Sequence, residues 1–327
     1  MLDSPEQRIS KKIYEYFEKK YSLGFVGLIK AACLASLRVK NRSYIPVSNI
    51  TIAPSGQFKS RISIEVMLIF QPSTFVDLGS DFTMHSLMEK FRGGKLCNNK
   101  TLMINDLTLL FSTKKKQTKD RLVNGLAEVL SEGKYVYSER NSPSIVFKSR
   151  INVIANITRE SYLRNRTSFL DNTFGERLVP IFYHIPEDKQ IELIRTSAER
   201  KSMDFGDKIK LDRLEISNFN DFSEEIIKLS RSYKNLALSP SLSRSQDKMM
   251  GLLGGLCILN NRGRVIESDI KLVTEFLKYF CDPHNTEFKV MSRYFQGKSV
   301  KEIKQEIGTS DTYIYRIISK YKDRGVV

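Results

Sequence analysis

The chain has 327 residues, 41% of them hydrophobic and 28% charged, with a formal net charge of +16 at pH 7. This is room for two globular domains and a small third, and the sequence has no run of about 18 apolar residues that could span a membrane. The basic excess favours a polyanionic partner, nucleic acid ahead of an anionic membrane surface.

The opening residues Met1 to Gln7 carry no charged stretch followed by an apolar core, so no secretory leader is expected. Cys33, Cys97, Cys257 and Cys281 are scattered, as are His85, His184 and His284. That distribution argues for a reducing, cytoplasmic setting and against a zinc site. Residues 6–45 read as helical, with Ile9, Ile13, Phe17 and Tyr21 at helical spacing. Phe25 to Leu37 forms a second, apolar helix ending in a basic stretch that suits the negative end of the helix dipole.

Val47 to Ile52 reads as a short buried strand. A tight loop, Ala53, Pro54, Ser55, Gly56, Gln57 and Phe58, then leads to Lys59 and Ser60 at the start of a helix. Strand, loop and Lys-Ser at a helix N-terminus is the layout of a phosphate-binding P-loop, G-x-x-x-x-G-K-[ST]. Backbone N–H groups at a helix start attract phosphate, the lysine reaches the outer phosphates, and the hydroxyl can ligate Mg²⁺. Ala53 and Phe58 stand where that pattern has glycines. The helix that follows is apolar nearly all round and is expected to be central.

Asp81 to Phe91 reads as a further helix, broken by Gly93-Gly94. Thr101 to Asp106 is an apolar run ending in an acid, which is how a central parallel strand delivers a carboxylate to its C-terminal edge. A basic loop, Lys114 to Lys119, and a helix from Asp120 to Ser131 come next. Tyr135 to Phe147 reads as a β-hairpin with Lys134, Arg140, Lys148 and Arg150 on or beside it. Ile151 to Asn156 and Leu178 to Tyr183 are two more strands, the second preceded by Arg177. Strands alternating with helices give an α/β fold with a parallel sheet. Beyond Pro186 the patterns turn helical, with residues 204–220 the most irregular stretch.

At the C-terminal end, Thr286 to Gln296, Ser299 to Ile307 and Asp311 to Arg324 form three helices, with a capping box at Ser299/Glu302 and a turn at Gly308. Two short helices, a glycine turn and a basic third helix make a helix-turn-helix arrangement. In such a unit Thr312, Tyr313, Tyr315 and Arg316 would face base edges, and Lys320 and Lys322 would meet phosphate.

In order, Lys59-Ser60, Asp106, Asn156, Arg177 and the helical region after Pro186 resemble the Walker A, Walker B, sensor 1, arginine finger and lid of an AAA+ ATPase. The hairpin before Asn156 narrows the resemblance to minichromosome maintenance (MCM) helicases and their relatives. The segment from Arg244 to Val265, with Asp269 beyond it, looks like their lid helix. The resemblance covers roughly residues 25–282, and with so short an N-terminal part the chain looks similar to the compact MCM-like or initiator ATPases of archaeal viruses, plasmids and integrated elements. It departs from that pattern at Phe58 and at Asn105, which takes an acid's place, and in the short gap between Asn156 and Arg177.

The resemblance implies an AAA+ domain over residues 1–185, a helical lid over 186–285 and a C-terminal helix-turn-helix over 286–327, of the winged type with the wing missing or very short. It also implies ATP and Mg²⁺, held by residues 53–60 with Ser60 and Asp106 on the metal. By the same resemblance Asn156 orients water, Arg177 acts in a neighbouring subunit of a hexameric ring, and Arg244 is the sensor 2 arginine. Lys134, Arg140 and Lys148 would meet DNA in the ring channel. The implied function is an MCM-like helicase or helicase loader in DNA replication. An ATP-switched origin-binding initiator, and a DNA-binding regulator with a degenerate ATPase core, remain alternatives. A single acid at the Walker B position implies slow hydrolysis.

Overall fold

The computed structural model describes the chain except residues 1, 3, 42–43, 72–73, 79–86, 88–99, 109–115, 138–144, 149, 172–173, 198, 200–202, 240, 283–284 and 324–327. Its described residues form an α/β fold with twelve α-helices and a five-stranded, all-parallel sheet, beside a separate two-stranded hairpin. The sheet contains β1 (Ser48–Ala53), β2 (Phe75–Asp77), β3 (Thr101–Ile104), β6 (Asn152–Thr158) and β7 (Leu178–Phe182), in the order β2-β3-β6-β1-β7. The hairpin pairs β4 (Lys134–Tyr137) with β5 (Ile145–Lys148), Lys134 opposite Lys148. The side chains of both lysines, and Arg140 altogether, lie outside the described residues.

Both faces of the sheet are covered, as parallel strands require. Alternate residues Ile50, Ile52, Leu102, Ile104, Val153 and Ala155 join one core with Leu122 and Leu126 of α4 (Lys116–Glu132). The opposite set, including Met103, Ile154, Val179 and Ile181, joins a larger core with α1 (Arg8–Tyr21), α2 (Gly24–Ser36) and α3 (Lys59–Ile69). That core also takes in α7 (Ser223–Leu236), α8 (Leu242–Leu259) and α9 (Glu267–Phe276). The helices after Pro186 thus share one core with the N-terminal helices. Helix α2 is its axis: all of its residues except Phe25 are buried.

Glycines allow α8 to lie directly on α2. A Cβ at Gly255 would sit 2.1 Å from the Ala32 carbonyl oxygen, and one at Gly254 would sit 2.8 Å from the Tyr44 hydroxyl.

Four local expectations change. The expected strands lack β2, a three-residue edge strand too short to give a periodic signal. Helix α3 is apolar but not central. Ile64 and Leu68, one turn apart, face outward, because α2 and the sheet cover only its other side. Helix α4 starts at Lys116, so the end of the basic loop is its first turn. Arg150 turns inward and donates to the carbonyls of Val39 (2.6 Å) and Tyr44 (2.8 Å), closing the chain after α2. The helix expected at 81–91 falls almost wholly outside the described residues.

Helix α5 (Arg159–Asp171) follows β6, and α6 (Glu187–Arg195) follows β7. The last three helices, α10 (Thr286–Phe295), α11 (Val300–Ile307) and α12 (Asp311–Asp323), pack around a small core of Val290, Met291, Ile303, Ile314, Ile317, Ile318 and Tyr321, closed by Leu238. Ser299 and Glu302 form the expected capping box, and Gly308 ends α11 in the left-handed conformation at φ 71°.

Candidate functional site

All five strands run the same way, so their C-terminal ends share one edge. Side chains from three of these ends meet there around an open cleft of about 360 Å³. Ser55 to Arg61 form one wall, Asn105 and Asp106 after β3 a second, and Asn156, Ile157 and Thr158 of β6 a third. Because β6 lies between β1 and β3, Asn156 stands between the loop and Asp106. This volume lies within the range of small-molecule sites.

The loop is held from behind. Gln57 is buried, its Oε1 accepts from the Ile185 N–H (2.9 Å), and its Nε2 lies 3.1 Å from His184 Nδ1. The Tyr183 hydroxyl donates to the Gln57 carbonyl at 2.5 Å. The Gln57 side chain therefore anchors the loop to the chain after β7. Gly56 forms the crest at φ 76°, where an added Cβ would meet nothing within 4 Å.

Phe58 adopts φ 59° and ψ 11°, the left-handed conformation that favours glycine. It keeps the backbone shape of the missing glycine at a cost of about 1–2 kcal/mol. Its ring packs on Tyr21 of α1, centroids 5.6 Å apart, which helps to offset that strain.

Lys59 Nζ donates to the carbonyls of Ala53 (2.9 Å) and Pro54 (2.6 Å), so the ammonium lies over the loop. Burial lowers its pKa, opposed by the fields of Glu160 and Asp106. Ser60 Oγ donates to the Asn105 carbonyl (3.3 Å), which ties the start of α3 to the end of β3. The Asp106 carboxylate accepts from the Thr108 N–H (2.8 Å). Asn105 Nδ2 points to Asp77 at the end of β2, with contacts of 3.3 and 3.4 Å. One acid lines the cleft, and a second stands beside the asparagine that replaces its expected partner.

Asn156 is fully buried in its wall of the cleft. Its Oδ1 accepts from Ser63 Oγ (3.1 Å) and Lys30 Nζ (3.3 Å), and its Nδ2 has no partner among the described residues.

Arg177 and Arg244 are not in this cleft. They line a separate cavity with Ser48, Ser131, Glu176, Asp247 and Lys248, at the N-terminal ends of β1 and β7. That is the far edge of the sheet, a strand length of roughly 16 Å from the loop. Arg177 donates to Ser131 Oγ (3.0 Å), and Arg244 pairs with Glu176. Beneath them Lys248 is buried and donates to the Leu178 carbonyl and the Tyr233 hydroxyl, both at 3.1 Å. Burial, reinforced by Arg244, brings its pKa down to about 7.

On α12, Thr312, Tyr315, Arg316 and Lys322 are exposed, and Tyr315 is 61% exposed despite its size. Their spacing puts them on one face of the helix. Tyr313 is half-buried against the small core. The Lys320 ammonium pairs with Glu287 at 3.0 Å, which also accepts from Tyr321 (2.7 Å) and so joins α12 to α10.

Reading the sequence alone missed Lys30, Ser63, Asp77, Glu160 and Arg61. Lys30 left one signal, a single charge inside an otherwise uncharged apolar helix. Among the described residues there is no cluster of His, Cys, Asp and Glu suited to hold a metal unaided, and no helix long and apolar enough to cross a membrane. No protein-family model and no curated protein matches the chain.

Proposed function

We propose that the chain is a DNA-binding ATPase of the AAA+ type, similar to the MCM-like helicases and initiators. The observation that carries this reading is the convergence of Lys59, Ser60, Asp106 and Asn156 on one cleft at the C-terminal edge of a parallel sheet. The loop keeps a glycine's backbone shape at Phe58, and Asn156 Nδ2, a buried donor with no protein partner among the described residues, suits a polar ligand.

A triphosphate fits these residues. The amides at the start of α3 and the Lys59 ammonium would hold phosphate. Ser60 and Asp106 would hold Mg²⁺ together with phosphate oxygens, since Mg²⁺ sites commonly draw on one or two carboxylates plus the substrate. The metal would offset charge on the transferring group. Asn156 would orient the attacking water, and Asp106 would accept its proton.

Arg177 and Arg244 stand too far from their own cleft to act there, which supports arginines acting in trans. Their shared place at the opposite sheet edge would let both meet a neighbour's cleft in a ring. Glu176 would hold Arg244 until that neighbour docks. The exposed face of α12 (Thr312, Tyr315, Arg316 and Lys322) would contact DNA, while Lys320 serves within the three-helix unit.

One acid in the cleft, with Asn105 in its partner's place, favours slow turnover. This observation supports the second reading, an initiator that uses ATP as a switch.

The test is complementation between inactive subunits. Lys59→Ala and Arg177→Ala are each expected to hydrolyse little ATP alone. Mixed, they are expected to recover activity, because some interfaces pair an intact cleft with an intact arginine. No recovery across mixing ratios, with both proteins folded and oligomeric, would exclude the trans assignment.

A further inference from the structure

The sheet face beneath α2 mixes polar side chains with its apolar ones. Asn49 and Thr51 of β1, Asn152 and Asn156 of β6, and Thr101 of β3 are all fully buried. Into this layer α2 sends Lys30, itself 0% exposed. Its Nζ donates to Ser63 Oγ of α3 (2.8 Å) and to Asn156 Oδ1 (3.3 Å). Among the described residues no carboxylate pairs with it.

Such a charge is costly to bury, and an apolar side chain of similar length would fill the place at lower cost. The retained group has a clear local effect. In its charged form Lys30 Nζ donates and cannot accept, so that form must face the oxygen of the Asn156 amide. The single Ser63 proton can go to Asn156 Oδ1 or to the Lys59 carbonyl, both 3.1 Å away. A flip of the amide would set the Lys30 ammonium against the Nδ2 donor and take Oδ1 away from it. The donor end is thereby kept for the ligand.

We propose that Lys30 is a positioning residue of the nucleotide site, holding the Asn156 amide with its oxygen toward α2 and its nitrogen available to the γ-phosphate or the attacking water. This inference rests on the nucleotide reading above. It gives the buried lysine a function that offsets its cost to stability. Burial brings the Lys30 pKa down to about 7, in keeping with a group held where charge is unfavourable.

Lys30→Met and Lys30→Gln separate this role from simple packing. Both remove the buried charge, and both are expected to raise the Tm of the nucleotide-free protein by about 5 °C or more. Glutamine can still donate to Asn156 Oδ1 and methionine cannot. Lys30→Met is therefore expected to lower kcat roughly 10- to 100-fold with ATP affinity within about threefold of the parent, while Lys30→Gln recovers most of the loss. Asn156→Ala is expected to cost little more in the Lys30→Met background, since the two act through one amide.

The proposal is overturned if Lys30→Met keeps the parental kcat, if Lys30→Gln is as impaired as Lys30→Met, or if the Lys30 and Asn156 effects multiply independently. Should Lys30→Met fail to fold, Ser63→Ala, which removes the hydroxyl that Lys30 and Asn156 share, is expected to lower kcat in the same direction, and a parental kcat there would overturn the proposal. Failure of the nucleotide reading looks different: the unsubstituted chain would neither bind nor hydrolyse ATP, and both ideas would fall together.

Discussion

Lys59→Ala is expected to reduce ATP hydrolysis at least about 100-fold and to weaken ATP binding about tenfold or more. The Lys59 ammonium lies over the loop, held there by the Ala53 and Pro54 carbonyls. Both are weak acceptors compared with a phosphate oxygen, so the lysine can exchange them for a ligand at small cost. The same change removes a partly desolvated charge, so the fold is expected to keep its Tm. Phosphate release, a binding titration and a thermal melt on one preparation check all three. A large fall in Tm would instead make Lys59 a structural group.

Gly255→Ala is expected to destabilise the protein by about 3 kcal/mol, lowering Tm by roughly 6–12 °C. In an ordinary helix this substitution stabilises by up to about 1 kcal/mol, so the sign itself is diagnostic. Here the new methyl would lie 2.1 Å from the Ala32 carbonyl oxygen, a backbone atom that cannot rotate away. Helices α2 and α8 would have to part, and α2 is buried against the sheet behind it. Gly251→Ala is a milder comparison. Its methyl would meet the Val47 side chain and not a backbone atom at its closest contact. Equal melting of Gly255→Ala and the parent would show that the α2–α8 packing is looser than described.

Much of the cleft was legible because its residues end strands or begin helices. Lys59 and Ser60 follow an apolar run, and Asp106 and Asn156 sit at the ends of two others, so their sequence positions already imply one sheet edge. The three C-terminal helices were legible through Ser299, Glu302 and Gly308, whose capping chemistry is local.

What escaped depends on contacts across the chain. Glu176 and Arg244 pair over a separation no local pattern records. The pair of Lys320 with Glu287 links two helices and leaves no local pattern. Asp77 closes a three-residue strand and has no periodicity to announce it. The buried polar layer did leave a trace. Asn49 and Thr51, like Asn152 and Asn156, recur at even spacing among the apolar residues of their strands. A strand covered on both faces should be apolar throughout, so polar residues at that spacing mark a face with work beyond packing.

The most direct test is a titration of the unmodified protein with ATP, ADP and AMP, with and without Mg²⁺. The expected result is saturable binding of about one ATP per chain in the micromolar range, strengthened by Mg²⁺, with ADP competing and AMP far weaker, because the loop and Lys59 recognise the outer phosphates. Absence of binding at millimolar ATP, or equal binding of ATP and AMP, would contradict a phosphate site at Ala53–Ser60.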